Sequence, residues 1–425
     1  MPGFTLGMGL GLGESRAPFT RNPIAALFTT GVNGAWYDPS DFSTMFQDAA
    51  GTVPVTAVGQ PVGRILDKSK GLVLGSKIVD SNFNTGADGW IAYTNSSYTS
   101  TIATPSGTLV VTTQVSAGSS GAKKLLTGLT PGIWYKATAR IKKTTDPSAN
   151  LAAASLRFVD GDAIIGWSAY FSTTSSSFVD ATLYFSPTGT TGTIGLVSGG
   201  SATTVGTYVM EYDDVVVREI AGNHAFNPSG NSANFPVLQQ DGTGRYYLAF
   251  NGVNQWLQTN SIDFTATDKM FVTAGVRHLS NANYGGLVGL GATVGTAGSF
   301  LLWMRSVAGA GGFEWYSNGN VTGAITESAT PTLPRTSVVS AAGDLSLTGA
   351  ANELKLRLNG SLATTTAIGD CGTGNYANTV ITIGSYNASN FFNGRLYGLV
   401  VAGKAASANE IASTEAWLNQ KTGAY

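Results

Sequence analysis

Only one stretch of this chain carries a clear helical signature, and it is the last. Ser407 and Glu410 stand three apart as a capping box, Ile411, Thr414 and Leu418 repeat at helical spacing, and Gly423 supplies a stop. Just before it, Gly394-Arg395-Leu396-Tyr397-Gly398-Leu399-Val400-Val401 is apolar and β-branched enough for a strand buried on most of both faces. A single short helix after a long run of strand-like sequence argues against an alternating α/β architecture. It favours an all-β one, a sandwich with the helix lying over its edge.

Strand-like runs separated by Gly, Ser and Thr fall into two blocks. Residues 70–220 contain candidates such as Thr108–Gln114, Trp134–Lys142, Ala153–Val159, Ile164–Phe171 and Phe178–Phe185, and close on Thr207–Ile220. Residues 221–425 continue in the same way. Leu354, Leu356 and Leu358 against Lys355 and Arg357 give the alternation of a half-buried strand, and Asn359-Gly360 turns it back. The expectation is two β-sandwich or jelly-roll domains. Residues 33–69 have turn signals at Asp38-Pro39 and Ala50-Gly51 but no sustained period, as expected of a segment that wraps another domain. In residues 1–32, Gly7, Gly9, Gly11 and Gly13 alternate with Met8, Leu10 and Leu12. Such a strip has no core of its own and reads as an anchor peptide. No Gly-Lys-Ser/Thr follows, so it does not read as a phosphate loop.

Composition narrows the function. Charged residues are 12% of the chain and the net charge is -1, with no Lys/Arg cluster beyond pairs such as Lys142-Lys143, so a nucleic-acid partner is not expected. No apolar run is long enough for a membrane-spanning helix, and no signal-peptide pattern opens the chain, so neither membrane insertion nor export by the usual secretory route is expected. Cys371 stands alone, which excludes an internal disulfide and reads as a small buried residue.

Catalytic signatures are sparse. Glu314 sits alone between Phe313 and Trp315, and Asp160 and Asp162 flank a turn glycine; all three read as solvated carboxylates. His224 and His278 have no nucleophile elbow nearby. Aromatic residues are the better signal, because flat rings stack on the C–H face of a pyranose while neighbouring polar groups bind its hydroxyls. Candidates are Trp90, Tyr93, Tyr98, Trp167 and Tyr170 in the middle block, and Tyr284, Trp303, Trp315, Tyr316, Asn318 and Tyr386 in the last. Trp134, Tyr135, Tyr247, Trp256 and Tyr397 lie inside apolar strand patterns and read as core.

Three resemblances sharpen this reading. Tyr246–Leu257, Leu356-Arg357-Leu358-Asn359-Gly360 and Phe392–Leu399 make roughly the last 200 residues resemble laminin-G-like, concanavalin-type jelly rolls. The segment from Ala35 to Ser69, with Gly222-Asn223-His224-Ala225-Phe226 and the terminal helix, resembles tailed-phage structural proteins that carry this domain. In that family the Asp-Lys-Ser segment runs almost directly into Gly-Asn-His-Ala. The resemblance thus implies that residues 70–220 are inserted and that 33–69 belong in space with 221–425. The middle block itself resembles galactose-binding-like carbohydrate-binding modules, through Asp80–Gly86, Trp90 and Tyr212-Asp213-Asp214-Val215. By that resemblance Asp80, Asn84, Asp213 and Asp214 are candidate ligands of a structural calcium; no other cofactor is required.

Together the resemblances imply a non-catalytic virion protein of a tailed phage, surface-exposed in a fibre, spike or head or tail decoration and made in the host cytoplasm. It would contact other virion proteins through its N-terminal segment, bind host-surface polysaccharide, and form a homo-oligomer, with a trimer favoured. The alternatives are a polysaccharide-degrading virion enzyme and a purely structural decoration protein.

Overall fold

The computed structural model describes residues 23–425 except 52, 73, 94–98, 115–119, 148–151, 163–168, 201–204, 281–283, 292 and 306–311. Among the described residues the chain is almost wholly β, built from antiparallel strands. Residues 74–220 form two sheets. One has five strands in the order Ala169–Thr173, Ala152–Asp160, Thr191–Gly200, Ser120–Thr127, Ile91–Tyr93. The other has six, centred on Trp134–Thr145 and Tyr208–Ile220. Between them lies one core, with Leu156, Phe158, Ile194 and Leu196 from the first sheet facing Tyr135, Ile141, Leu183 and Tyr212 from the second. The block opens and closes on paired strands: Leu74–Ser81 runs antiparallel to Tyr208–Ile220, with Leu74 opposite Ile220.

A second core is shared by residues far apart in sequence. Ala35, Tyr37, Met45 and Ile65 pack with Leu248, Val272, Leu302, Trp315 and Leu399. The pairings explain this. Gly34–Tyr37 adds to Asn393–Ala402 in an eight-stranded sheet, and Arg64–Ile65 pairs with Ala225–Phe226 in a ten-stranded one. Residues 33–69 thus pair partly among themselves, Met45–Phe46 with Arg64–Ile65, and partly with strands beyond residue 220, which is how a segment without a period of its own satisfies its backbone.

The terminal helix, Ala408–Thr422, has the expected capping box of Ser407 and Glu410 and ends on Gly423 in a left-handed conformation. Its position differs from the expectation: it lies on the face of the eight-stranded sheet, not over an edge. Gly275 and Gly398 are register partners in neighbouring strands, and Thr422, Leu418 and Trp417 sit where their β-carbons would be. Removing two side chains from one spot of the sheet lets the helix settle there. Ion pairs from Glu415 to Arg357 and from Lys421 to Asp38 fix it further. Within the stretch read as an anchor, residues 1–22 lie outside the described residues. Ile24 and Leu27 are buried against Trp36, Phe271 and Val400, so this part of the stretch packs on its own chain.

Where the two blocks meet, the Arg64 guanidinium lies 3.2 Å over the Trp134 ring and donates to the carbonyl of Ala50. Trp134, Tyr135, Tyr247 and Tyr397 are buried as expected, whereas Trp256 is half-buried.

Candidate functional site

The five-stranded sheet turns Ala152, Ala154, Leu156 and Phe158 toward the core, so strand alternation puts Ala153, Ser155, Arg157 and Val159 on its outer face. Register extends that face across five strands: Ile91 opposite Lys123, Lys123 opposite Gly195, Gly195 opposite Arg157, Arg157 opposite Tyr170. The next row holds Tyr93, Gly121, Val197, Ser155 and Ser172. Four inter-strand steps of about 4.8 Å make this row roughly 19 Å long, the scale of an oligosaccharide segment.

Tyr170 is 59% exposed, and its ring lies 5.8 Å from the Arg157 guanidinium carbon. Burial pulls the Arg157 pKa below its ordinary value, and Tyr93, Tyr212 and Tyr170 lie close enough to act on it. Lys123 pairs with Asp162 at 2.7 Å. Two buried hydroxyls on this face, Tyr93 Oη and Ser155 Oγ, have no hydrogen-bond partner among the described residues. Tyr93 is only 6% exposed, and its burial raises the phenol pKa far above the usual value, so it stays a neutral donor. Buried hydroxyls without partners are uncommon, because each forfeits its hydrogen bonds with water.

Of the middle-block candidates, Tyr93 and Tyr170 share this face, while Tyr98 and Trp167 lie outside the described residues. Trp90 requires a correction. At 3% exposure it belongs to the core beside Phe83, with Nε1 donating to Ser81 Oγ at 3.1 Å. Sequence reading missed Arg157 and Ser155; their placement two apart in a strand whose alternate residues are apolar was the available signal.

In the last block, adjacent candidates separate. Trp315 is fully buried in the core and is not a platform. Asn318 is buried, with its amide donating to Thr322 Oγ1 at 2.6 Å. Tyr316 points the other way and is half-buried beside Trp303. Glu314, expected in solvent, is 3% exposed and accepts from Trp303 Nε1 at 2.8 Å and Thr326 Oγ1 at 2.7 Å. Cys371 is buried, and burial beside Glu353 pushes its thiol up to about 12.

The four calcium candidates are not assembled into a ligand set. Asp80 pairs with Lys77 at 2.6 Å, Asp213 and Asp214 both face Arg140 at 3.5 and 3.9 Å, and Asn84 is exposed. Among the described residues no group of three or more His, Cys, Asp or Glu side chains could hold a metal. Nor is any described helix long and apolar enough to cross a membrane.

No family model matches the chain, and no match was found among curated proteins. Solved structures similar to it include the CBM22-1-CBM22-2 tandem domain from Paenibacillus barcinonensis Xyn10C, at 13% identity over 78% of this chain and 98% of that one, TM-score 0.29. Domain 4 of AbnA, a GH43 extracellular arabinanase from Geobacillus stearothermophilus solved in complex with arabinotriose, is 13% identical over 42% of this chain and 79% of that one, TM-score 0.30. The receptor-binding domain of botulinum neurotoxin C/D mosaic serotype is 12% identical over 44% and 48%, TM-score 0.33; the match spans about half the length of that fragment. The all-β class of the chain rests on its own strands and sheets.

Proposed function

We propose that this chain is a non-catalytic glycan-binding protein and that the outer face of the five-stranded sheet is its binding surface. The observation that carries the reading is the co-location of an exposed ring, Tyr170, and a half-buried guanidinium, Arg157, on one sheet face, beside two hydroxyls, Tyr93 and Ser155, that are buried and without partners among the described residues. A sugar offers a C–H face for the exposed ring and hydroxyls for the polar groups beside it. The carboxylate at the rim, Asp162, is already held by Lys123, which favours binding over acid–base work. The resemblance of residues 35–69 and 222–226 to tailed-phage structural proteins supports a place on a virion, with bacterial surface polysaccharide as the ligand.

The test is binding of the full chain to glycans extracted from bacterial surfaces, beside an Arg157→Ala/Tyr170→Ala variant. The expected result is saturable binding weakened about tenfold or more by the double substitution, with Tm unchanged and glycan chain length preserved. Binding indifferent to the substitution would remove this face from the reading, and shortening of the glycan would make the protein an enzyme.

A further inference from the structure

The ten-stranded sheet carries a second cluster, on the side away from its core. Phe300, Leu302 and Met304 face inward, so Trp303 faces out; Phe313 and Trp315 face inward, so Tyr316 faces out. Tyr284 lies against the indole of Trp303 at a centroid distance of 4.5 Å, tilted by 30°, while Tyr316 and Tyr386 meet it edge-on at 5.6 and 6.1 Å. All four rings are half-buried. We propose that Tyr284, Trp303, Tyr316 and Tyr386 form a second glycan site, a recessed aromatic platform for the C–H face of a neutral pyranose.

The cluster is held in place by the groups around it. Trp303 Nε1 is committed to Glu314, whose other oxygen takes the hydroxyl of Thr326, so the indole is fixed by its polar edge. Gly286, opposite Trp303, seats Tyr386: a β-carbon there would come within 2.5 Å of Ser385 C and Tyr386 N. The Tyr386 hydroxyl accepts the N–H of Val294.

The chemistry selects the ligand. Arg305 Nε lies 3.7 Å from Glu314, so the one carboxylate beneath the rings already has a cation beside it. Burial and the Glu314 carboxylate, to which it hydrogen-bonds, push the Tyr316 phenol up to about 12, leaving it protonated and neutral. Apolar faces edged by phenol hydroxyls match the amphipathic faces of a sugar ring and give a charged ligand no counter-ion. The rings already touch one another, so a sugar lies over the outer side of the cluster, not between its rings; a protein partner is better served by protruding anchors. The site is independent of the first, which lies in the other block and carries Lys123 and Arg157.

The experiment uses full-length protein with Arg157→Ala/Tyr170→Ala in place, so that the five-stranded face is silenced. Neutral hexasaccharides of glucose (β1,4 and α1,4), xylose and N-acetylglucosamine are titrated by calorimetry. At least one is expected to bind and to lose about tenfold or more in affinity on adding Tyr284→Ala or Tyr316→Ala. Hydroxyl-radical footprinting of the unsubstituted protein is independent of those variants and is expected to show Tyr284, Trp303 and Tyr316 protected by the same sugar. No binding by the silenced protein, an affinity unmoved by both tyrosine substitutions, or no protection at saturation would each overturn the proposal. Binding abolished by Arg157→Ala/Tyr170→Ala alone would leave the first site standing and this one refuted.

Discussion

The carboxylate of Asp67 accepts the backbone N–H of Asn223, 156 residues further along, at 2.7 Å. The same side chain takes the N–H groups of Trp36 and Ser69 and the Ser69 hydroxyl, each at 2.7 Å, and the N–H of Asp67 donates to His224 Nδ1 at 2.9 Å. One buried aspartate thus ties together the segment before the middle block and the segment after it.

Replacing Asp67 with alanine leaves three backbone N–H groups without their acceptor. At about 1–3 kcal/mol for each unsatisfied buried group, the loss is on the order of 3 kcal/mol or more. Urea unfolding of Asp67→Ala checks this, and a midpoint indistinguishable from that of the parent would contradict it.

Stability is expected to fall with acid before the carboxylates titrate. Burial, with Arg64 nearby, lowers His224 from the ordinary 6.5 to about 3; burial lowers His278 to about 4. Below pH 6.5 the unfolded chain therefore binds protons that the native state refuses, and stability present above 6.5 is lost as pH drops. Each histidine contributes up to about 1.4 kcal/mol per pH unit within its window. Denaturant midpoints between neutrality and about pH 5 measure the slope, and His278→Gln should reduce it.

Gly398→Ala puts a methyl within 2.9–3.1 Å of Trp417 and Leu418. The helix must lift or the strand must bend, at a cost of about 1–3 kcal/mol. Thermal unfolding followed by tryptophan fluorescence reads the loss; an unchanged Tm would mean that the helix is not seated through these two glycines.

Limited proteolysis near Lys70 and Ala221 is expected to release a folded middle block. The fragment from Asn33 to Ser69 should remain with the C-terminal piece, because its strands pair there. Separation of that fragment in native buffer would contradict this division of the chain.

How legible the molecule is in its sequence depends on how local each signal is. Ser407 and Glu410 lie one helical turn apart, so the cap could be read directly. The alternation of Leu354, Leu356 and Leu358 shows which residues share a face: Leu354 and Leu356 are buried, and Leu358, half-buried, packs on the same core. The run Phe313-Glu314-Trp315-Tyr316 defeats such reading, because every residue is suited to a strand and only the partners in Phe300–Met304 and Thr322–Glu327 decide the inward phase. That is why sequence alone makes Trp315 a platform and Glu314 a solvated acid. Trp90 failed for a related reason: Ser81, nine residues away, satisfies its one polar atom and lets it enter the core. The helix position escaped because the Gly275 and Gly398 notch exists only once two distant strands are side by side.

Leu74 stands opposite Ile220 in the first and last strands of the middle block, so the chain leaves and re-enters at points one strand spacing apart, about 4.8 Å. To the rest of the molecule those residues amount to a short turn, and the loop-closure entropy it bears need not grow with what hangs beyond the stem. A stem of this kind accepts grafts: exchanging residues 75–219 for another domain whose ends also lie on adjacent antiparallel strands would change the ligand while leaving the Asp67 clasp and the supporting frame intact.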